Sequence, residues 1–108
     1  MPKDNRQAIA SHPGEILKEE FLAPLGISVY ALAVALRVPR SRLNDIVLGR
    51  RGISADTAVR LAKFFDTDAQ SWLNLQQRYD LIQAEAEALS DLAHVTSFKK
   101  WQSTMPRE

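Results

Sequence analysis

The stretch Ser28–Arg51, SVYALAVALRVPRSRLNDIVLGRR, decides the fold. Leu32, Ala33 and Leu36 fall on one face of a first helix, and Ala33 is small enough to let a second helix cross closely. Leu43, Ile46 and Val47 give that second helix an apolar face at i, i+3, i+4 spacing. The link between them, Arg37-Val38-Pro39, has the length of the turn in a helix-turn-helix. Turning the apolar residues inward leaves Arg40, Ser41, Arg42, Asn44 and Asp45 pointing outward. These are donor-rich, forked side chains of the kind that read base edges in the major groove.

Outward from this stretch the pattern stays helical. Residues 1–11 are polar and unpatterned and are expected to form a loose arm. His12-Pro13-Gly14-Glu15 opens a helix, because proline suits a first turn whose amides lack partners and Glu15 complements the helix dipole. Ile16, Leu17 and Phe21 supply its buried face, and Pro24 with Gly26 ends it. Ser28 is placed to cap the next helix. Gly49 and Gly52 bracket Arg50-Arg51 in a tight loop, and Ser54 caps a fourth helix whose buried face is Ala58, Leu61, Ala62 and Phe65. Thr67 and Gln70 have the spacing of a capping box and predict the start of a fifth helix. That helix carries a seam of Trp72, Leu75, Tyr79, Ile82, Ala86, Leu89 and Ala93, spaced alternately by three and four. Trp72 to Ile82 are expected to cover the core. The stripe outlasts a small domain, so Tyr79, Ile82, Ala86 and Leu89 are candidates for a dimer or partner interface. The fold class expected is all-α: five helices in a helix-turn-helix domain over residues 12–94, with an extended C-terminal helix, followed by a tail, 95–108, that frays or adds a short helix.

At 108 residues, 45% hydrophobic and 25% charged, the chain suits one globular domain rather than a disordered one. It has no cysteine, and its two histidines, His12 and His94, lie far apart, so neither a disulfide framework nor a metal site is expected. No apolar run is long enough for a bilayer and the N-terminus lacks a signal peptide's hydrophobic stretch, which makes a cytoplasmic protein with no membrane partner the expectation. The net charge of +1 hides a strong asymmetry. Arg37, Arg40, Arg42, Arg50 and Arg51 stand against Asp45 alone, whereas Asp80 to Asp91 carries Asp80, Glu85, Glu87 and Asp91 with no basic residue. A basic patch confined to one face is the footprint of a phosphate-binding surface, and an acidic far end helps to orient it.

In a helix-turn-helix the N-terminal part of the second helix enters the major groove while the first crosses the backbone. Arg40, Ser41 and Asn44 then face the bases, with Arg42 flanking them. Arginine can grip guanine O6 and N7, and asparagine adenine N6 and N7. Arg37, Arg50 and Arg51 lie beside that helix, where they would meet phosphates and add register without reading sequence. An enzyme is not expected. Glu15, Glu19 and Glu20 read as a solvated helix face, no serine or cysteine nucleophile has local support, and no glycine-rich phosphate loop or other cofactor motif is present.

Three blocks carry a family resemblance: HPGEIL at His12–Leu17, RRGISADTAVRLAKFF at Arg50–Phe65 and WLNLQQRYDL at Trp72–Leu81. In this order and spacing they resemble the HigA family of bacterial antitoxins, within the Xre-type, lambda-repressor-like group, from about Ser11 to Ala84. The resemblance implies a five-helix DNA-binding fold and a homodimer on a palindromic operator in its own promoter. It also implies a second partner, a RelE-like toxin that cleaves messenger RNA. Three positions depart from the group's pattern. Val29 stands where glutamine often touches the DNA backbone, so that contact is lost or moves to Tyr30. Arg37 stands where the turn often has glycine, and Pro39 where serine often caps the second helix. The reading is a double-stranded-DNA-binding antitoxin that represses its own operon and neutralises a ribonuclease. Its rivals are a stand-alone repressor without a toxin and a pure protein-interaction module that uses the heptad stripe.

Overall fold

The computed structural model describes residues 11–105, and the expected N-terminal arm lies almost wholly outside them. The described residues form helices and no strand. Helix α1 (Pro13–Leu25) opens at His12, whose Nδ1 accepts the Gly14 N–H at 2.8 Å, so the histidine itself is the cap. Its central stretch, Leu17–Leu22, has the wider π-helical turn, and the Ala23 N–H reaches back to the Lys18 carbonyl. Pro24 follows at once. It has no N–H to donate, and the widened turn relieves the clash its ring would make with the preceding turn. The same widening brings Leu17 and Leu22 together into the core. Of the expected face, Leu17 is buried while Ile16 and Phe21 are half-buried. Pro24 lies inside the last turn, and Gly26 ends the helix at φ 66°.

Helix α2 (Val29–Leu36) is capped by Ser28 Oγ, which accepts the Ala31 N–H at 3.0 Å. Helix α3 (Arg40–Val47) follows Pro39, which is extended and offers no side-chain cap. Helix α4 (Ala55–Phe65) is capped by Ser54. Leu32, Ala33, Leu36, Leu43, Ile46, Ala58, Leu61 and Trp72 close one core, with Phe21 packed between the rings of Phe65 and Trp72. Helix α1 crosses the end of α3 so closely that a Cβ on buried Gly14 would collide with the Ile46 carbonyl. That crossing sets the tilt of α3.

Helix α5 (Ala69–Glu87) corrects two expectations. Its cap is Asp68, which accepts the Ser71 N–H at 2.9 Å; the Thr67 hydroxyl instead accepts from the Trp72 indole N–H at 2.9 Å, and Gln70 pairs with Asn74. Asp68 wins because a carboxylate is the stronger acceptor and the buried indole claims the threonine. The seam also does not continue as one helix to Ala93. It breaks at Ala88 (φ −95°, ψ 5°), and a short α6 (Leu89–Leu92) restarts beyond it. Trp72 is buried, Leu75, Tyr79 and Ile82 are half-buried, and Ala86, Leu89 and Ala93 are exposed. The tail contributes a short helix, α7 (Phe98–Thr104), capped by Ser97. No single helix among the described residues is long and apolar enough to cross a membrane.

Candidate nucleic-acid interface

Helix α3 presents its N-terminal half to solvent because Leu43 and Ile46 are fully buried behind it. Arg40, Ser41 and Asn44 are exposed on that side. Tyr30, at the start of α2, stands beside them, 60% exposed, with the Arg40 guanidinium 5.6 Å from its ring centre. A cation over an aromatic face is held without losing its N–H donors, so Arg40 is positioned while its fork stays available.

The turn between α2 and α3 is built at a cost. Arg37 has φ 61° and ψ 46°, a left-handed conformation that glycine adopts freely and other residues do not. Two things hold it there. The Arg37 and Val38 amides donate to the Val34 and Ala33 carbonyls, and Arg60 of α4 reaches across to donate to the Leu36 carbonyl at 2.8 Å. The Arg37 side chain is left projecting into solvent.

Arg42 departs from the sequence expectation. Instead of flanking the bases freely, it donates to Asp56 Oδ2 at 2.8 Å, and Arg60 Nε donates to the same oxygen at 3.0 Å. Asp56 lies in the first turn of α4, where a carboxylate is favoured, and its hydrogen bonds from Arg60 and then Arg42 hold its carboxyl below the usual range. The pair joins residues 14 apart in sequence, which no helical periodicity reveals. Arg42 therefore braces α3 against α4.

Arg50 and Arg51 sit in the loop after α3, both exposed, with their amides donating to the Asp45 carbonyl at 2.8 and 3.3 Å. Arg50 comes only to 4.0 Å from the Asp45 carboxylate, so its charge remains largely free. Gly49, at φ 76°, allows the reversal. The far side of this loop is tied down by Gln76 of α5, whose buried Oε1 accepts the Ile53 N–H at 2.7 Å while its Nε2 donates to Asp80. Gln76 was not legible from sequence, because a polar residue inside an apolar stripe announces no partner. The Asp56–Arg60 pair had a readable signal in its i, i+4 spacing.

The candidate phosphate-contacting residues Tyr30, Arg37, Arg50 and Arg51 thus surround the candidate base-reading Arg40, Ser41 and Asn44 at one end of the molecule. Of the candidate interface residues on α5, Tyr79 packs its ring edge-on against His12 at 4.8 Å, and Ile82 is half-buried; Ala86 and Leu89 are exposed. Among the described residues no group of histidine or acidic side chains is arranged to hold a metal ion.

Residues 17–72 match the family model described as Helix-turn-helix. Virulence-associated protein I of Dichelobacter nodosus is 54% identical over 83% of each chain. Antitoxin HigA-1 of Vibrio cholerae is 37% identical, covering 75% of this chain and 74% of its own. Among solved structures, the Pseudomonas aeruginosa antitoxin HigA with higBA promoter superposes with a TM-score of 0.79 at 49% identity, over 82% of this chain and 97% of that one.

Proposed function

This chain belongs to the HigA branch of the helix-turn-helix family, and from that premise we propose that it is a DNA-binding antitoxin of the cytoplasm, not an enzyme, that represses its own operon and neutralises a ribonuclease. The observation that carries the DNA-binding half is the disposition of α3. Its N-terminal side chains are free, its tilt is fixed by Gly14 and by the Arg42–Asp56 pair, and unpaired arginines lie on both flanks.

Arg40 and Asn44 read base edges, each good bidentate pair giving about 1–3 kcal/mol of discrimination, and Ser41 adds an adaptable contact. Tyr30, Arg37, Arg50 and Arg51 hold phosphates and set the register. Two copies related by a two-fold axis place their α3 helices about 34 Å apart, one turn of DNA, on a palindromic operator. The toxin, a RelE-like messenger-RNA-cleaving protein, is the partner that similarity to the HigA antitoxins supports.

Titration against the DNA upstream of its own gene, at two salt concentrations and with excess non-specific competitor, tests this reading. Salt-dependent binding that survives competitor is expected. Arg51→Ala weakens all sequences alike and flattens the salt slope by up to about one unit, whereas Arg40→Ala relaxes sequence choice. Binding that competitor abolishes, with both variants behaving as the parent, would leave the interaction-module reading in its place.

A further inference from the structure

Beyond Ala88 the chain leaves the packed body. Every described residue from Leu89 to Met105 is exposed, including Leu89 (72%), Val95 (67%) and Phe98 (70%) together with Leu92, Trp101 and Met105. A single soluble chain does not leave so continuous an apolar ribbon in water without a partner for it. The overall dimensions agree: the radius of gyration is 18.9 Å, against about 13 Å for a compact chain of some hundred residues.

The ribbon has two halves of opposite charge. Glu85, Glu87 and Asp91 flank Leu89 and Leu92 at the end of α5 and in α6, and none of these acids is in an ion pair among the described residues. In α7, Phe98, Trp101 and Met105 recur at i, i+3, i+7, the first two rings lie 6.2 Å apart, and Lys99 and Lys100 flank them equally unpaired. An acidic apolar surface and a basic apolar helix on the same chain complement one another across a two-fold axis, where each protomer offers both halves.

We propose that the C-terminal helix α7 is an exchanged clasp: that of one protomer docks, through Phe98, Trp101 and Met105, on the Leu89–Leu92 surface of a second copy of this chain. Lys99 and Lys100 then meet the acidic residues of that copy. The inference deepens the homodimer reading above and rests on it. Because the contact occurs twice per dimer, each substitution acts twice.

Sedimentation of the full chain over a range of concentrations tests it, with circular dichroism confirming that helix content is kept. Reversing both lysines (Lys99→Glu with Lys100→Glu) weakens self-association by about tenfold, and Phe98→Ala with Trp101→Ala by about thirtyfold or more. Reversing Glu85 and Glu87 to lysine weakens it likewise, and the combined charge swap restores it. If the parent dimerises and none of these variants alters it, the clasp is wrong while the dimer reading stands; a parent that is monomeric throughout, on operator DNA as well, overturns both. If the lysine reversal spares self-association and lowers operator affinity instead, the tail holds phosphate and the clasp is again refuted.

Discussion

Replacing Arg37 by glycine should make the protein more stable and a poorer DNA binder at once. The left-handed backbone at Arg37 (φ 61°) costs a residue with a Cβ about 1–2 kcal/mol. Glycine removes that cost but adds about 0.4–1 kcal/mol of freedom to the unfolded chain. The net gain is about 0.7 kcal/mol, which for a domain of this size raises Tm by about 4 °C. The hydrogen bond from Arg60 runs to the Leu36 carbonyl, a backbone group, and survives the change. On DNA, the loss of one phosphate contact per protomer flattens the plot of log affinity against log salt by about 0.9 for each contact. Arg37→Ala is the control: it removes the same charge, keeps the strained backbone, and gains no stability. Thermal unfolding together with operator titration at several salt concentrations reads both effects. A Tm for Arg37→Gly at or below that of Arg37→Ala would refute the strain argument, and an unchanged salt slope would refute the phosphate contact.

Gly14→Ala forces α1 away from the Ile46 carbonyl and should destabilise the fold by about 3 kcal/mol in chemical denaturation, with operator binding lost before helix content. Gln76→Leu strands the buried Ile53 N–H and should cost about 1–3 kcal/mol by the same assay, with a further loss of operator affinity as the Arg50–Arg51 loop loosens. Stability should fall as the medium is acidified. Burial pushes His12 below its ordinary value of 6.5 despite the opposing pull of Asp80 and Glu15, so its contribution is complete above that value and drains away as pH falls through the lower folded one. Denaturation midpoints compared between pH 7.5 and 5 check this, and His12→Asn, which keeps the cap without titrating there, should flatten the dependence. Asp56→Asn frees Arg42 and Arg60 and should steepen the salt dependence of DNA binding while narrowing the gap between operator and competitor; an unchanged slope would mean both arginines stay out of reach of phosphate.

What the sequence disclosed follows from which interactions are local. The helices around Ser28, Pro39 and Ser54 were legible because a cap and an apolar period are written within a few neighbouring residues. The strained turn was legible too, since a non-glycine at that place in the motif can only bear the strain. The π-helical widening of α1 was not: Leu22 enters the core because Pro24 disturbs the turn before it, and a regular period hides that. Thr67 carried the right spacing for a cap but had a buried indole to satisfy, so Asp68 took the role. The exposed half of the interface could be found by elimination, once the apolar residues were turned inward. Its bracing could not, because Arg42–Asp56 and Gln76–Ile53 join residues 14 and 23 apart across helices.

That bracing bears on how the protein would divide affinity from specificity. Asp56 engages two guanidinium groups beside the recognition helix, leaving Arg37, Arg40, Arg50 and Arg51 as the free cations of this face. Two protomers then offer roughly eight phosphate or base contacts, a salt slope of no more than about −7. Releasing Arg42 and Arg60 would add four more cations to a dimer and raise affinity for every sequence equally, genomic DNA included. Non-specific sites outnumber an operator by many orders of magnitude, so uniform affinity of that kind lowers occupancy of the one site that matters. An arginine spent on holding α3 at a fixed tilt sharpens what Arg40 and Asn44 can read, since a bidentate contact to a base edge tolerates little misplacement. The carboxylate at the start of α4 thus trades bulk attraction for aim.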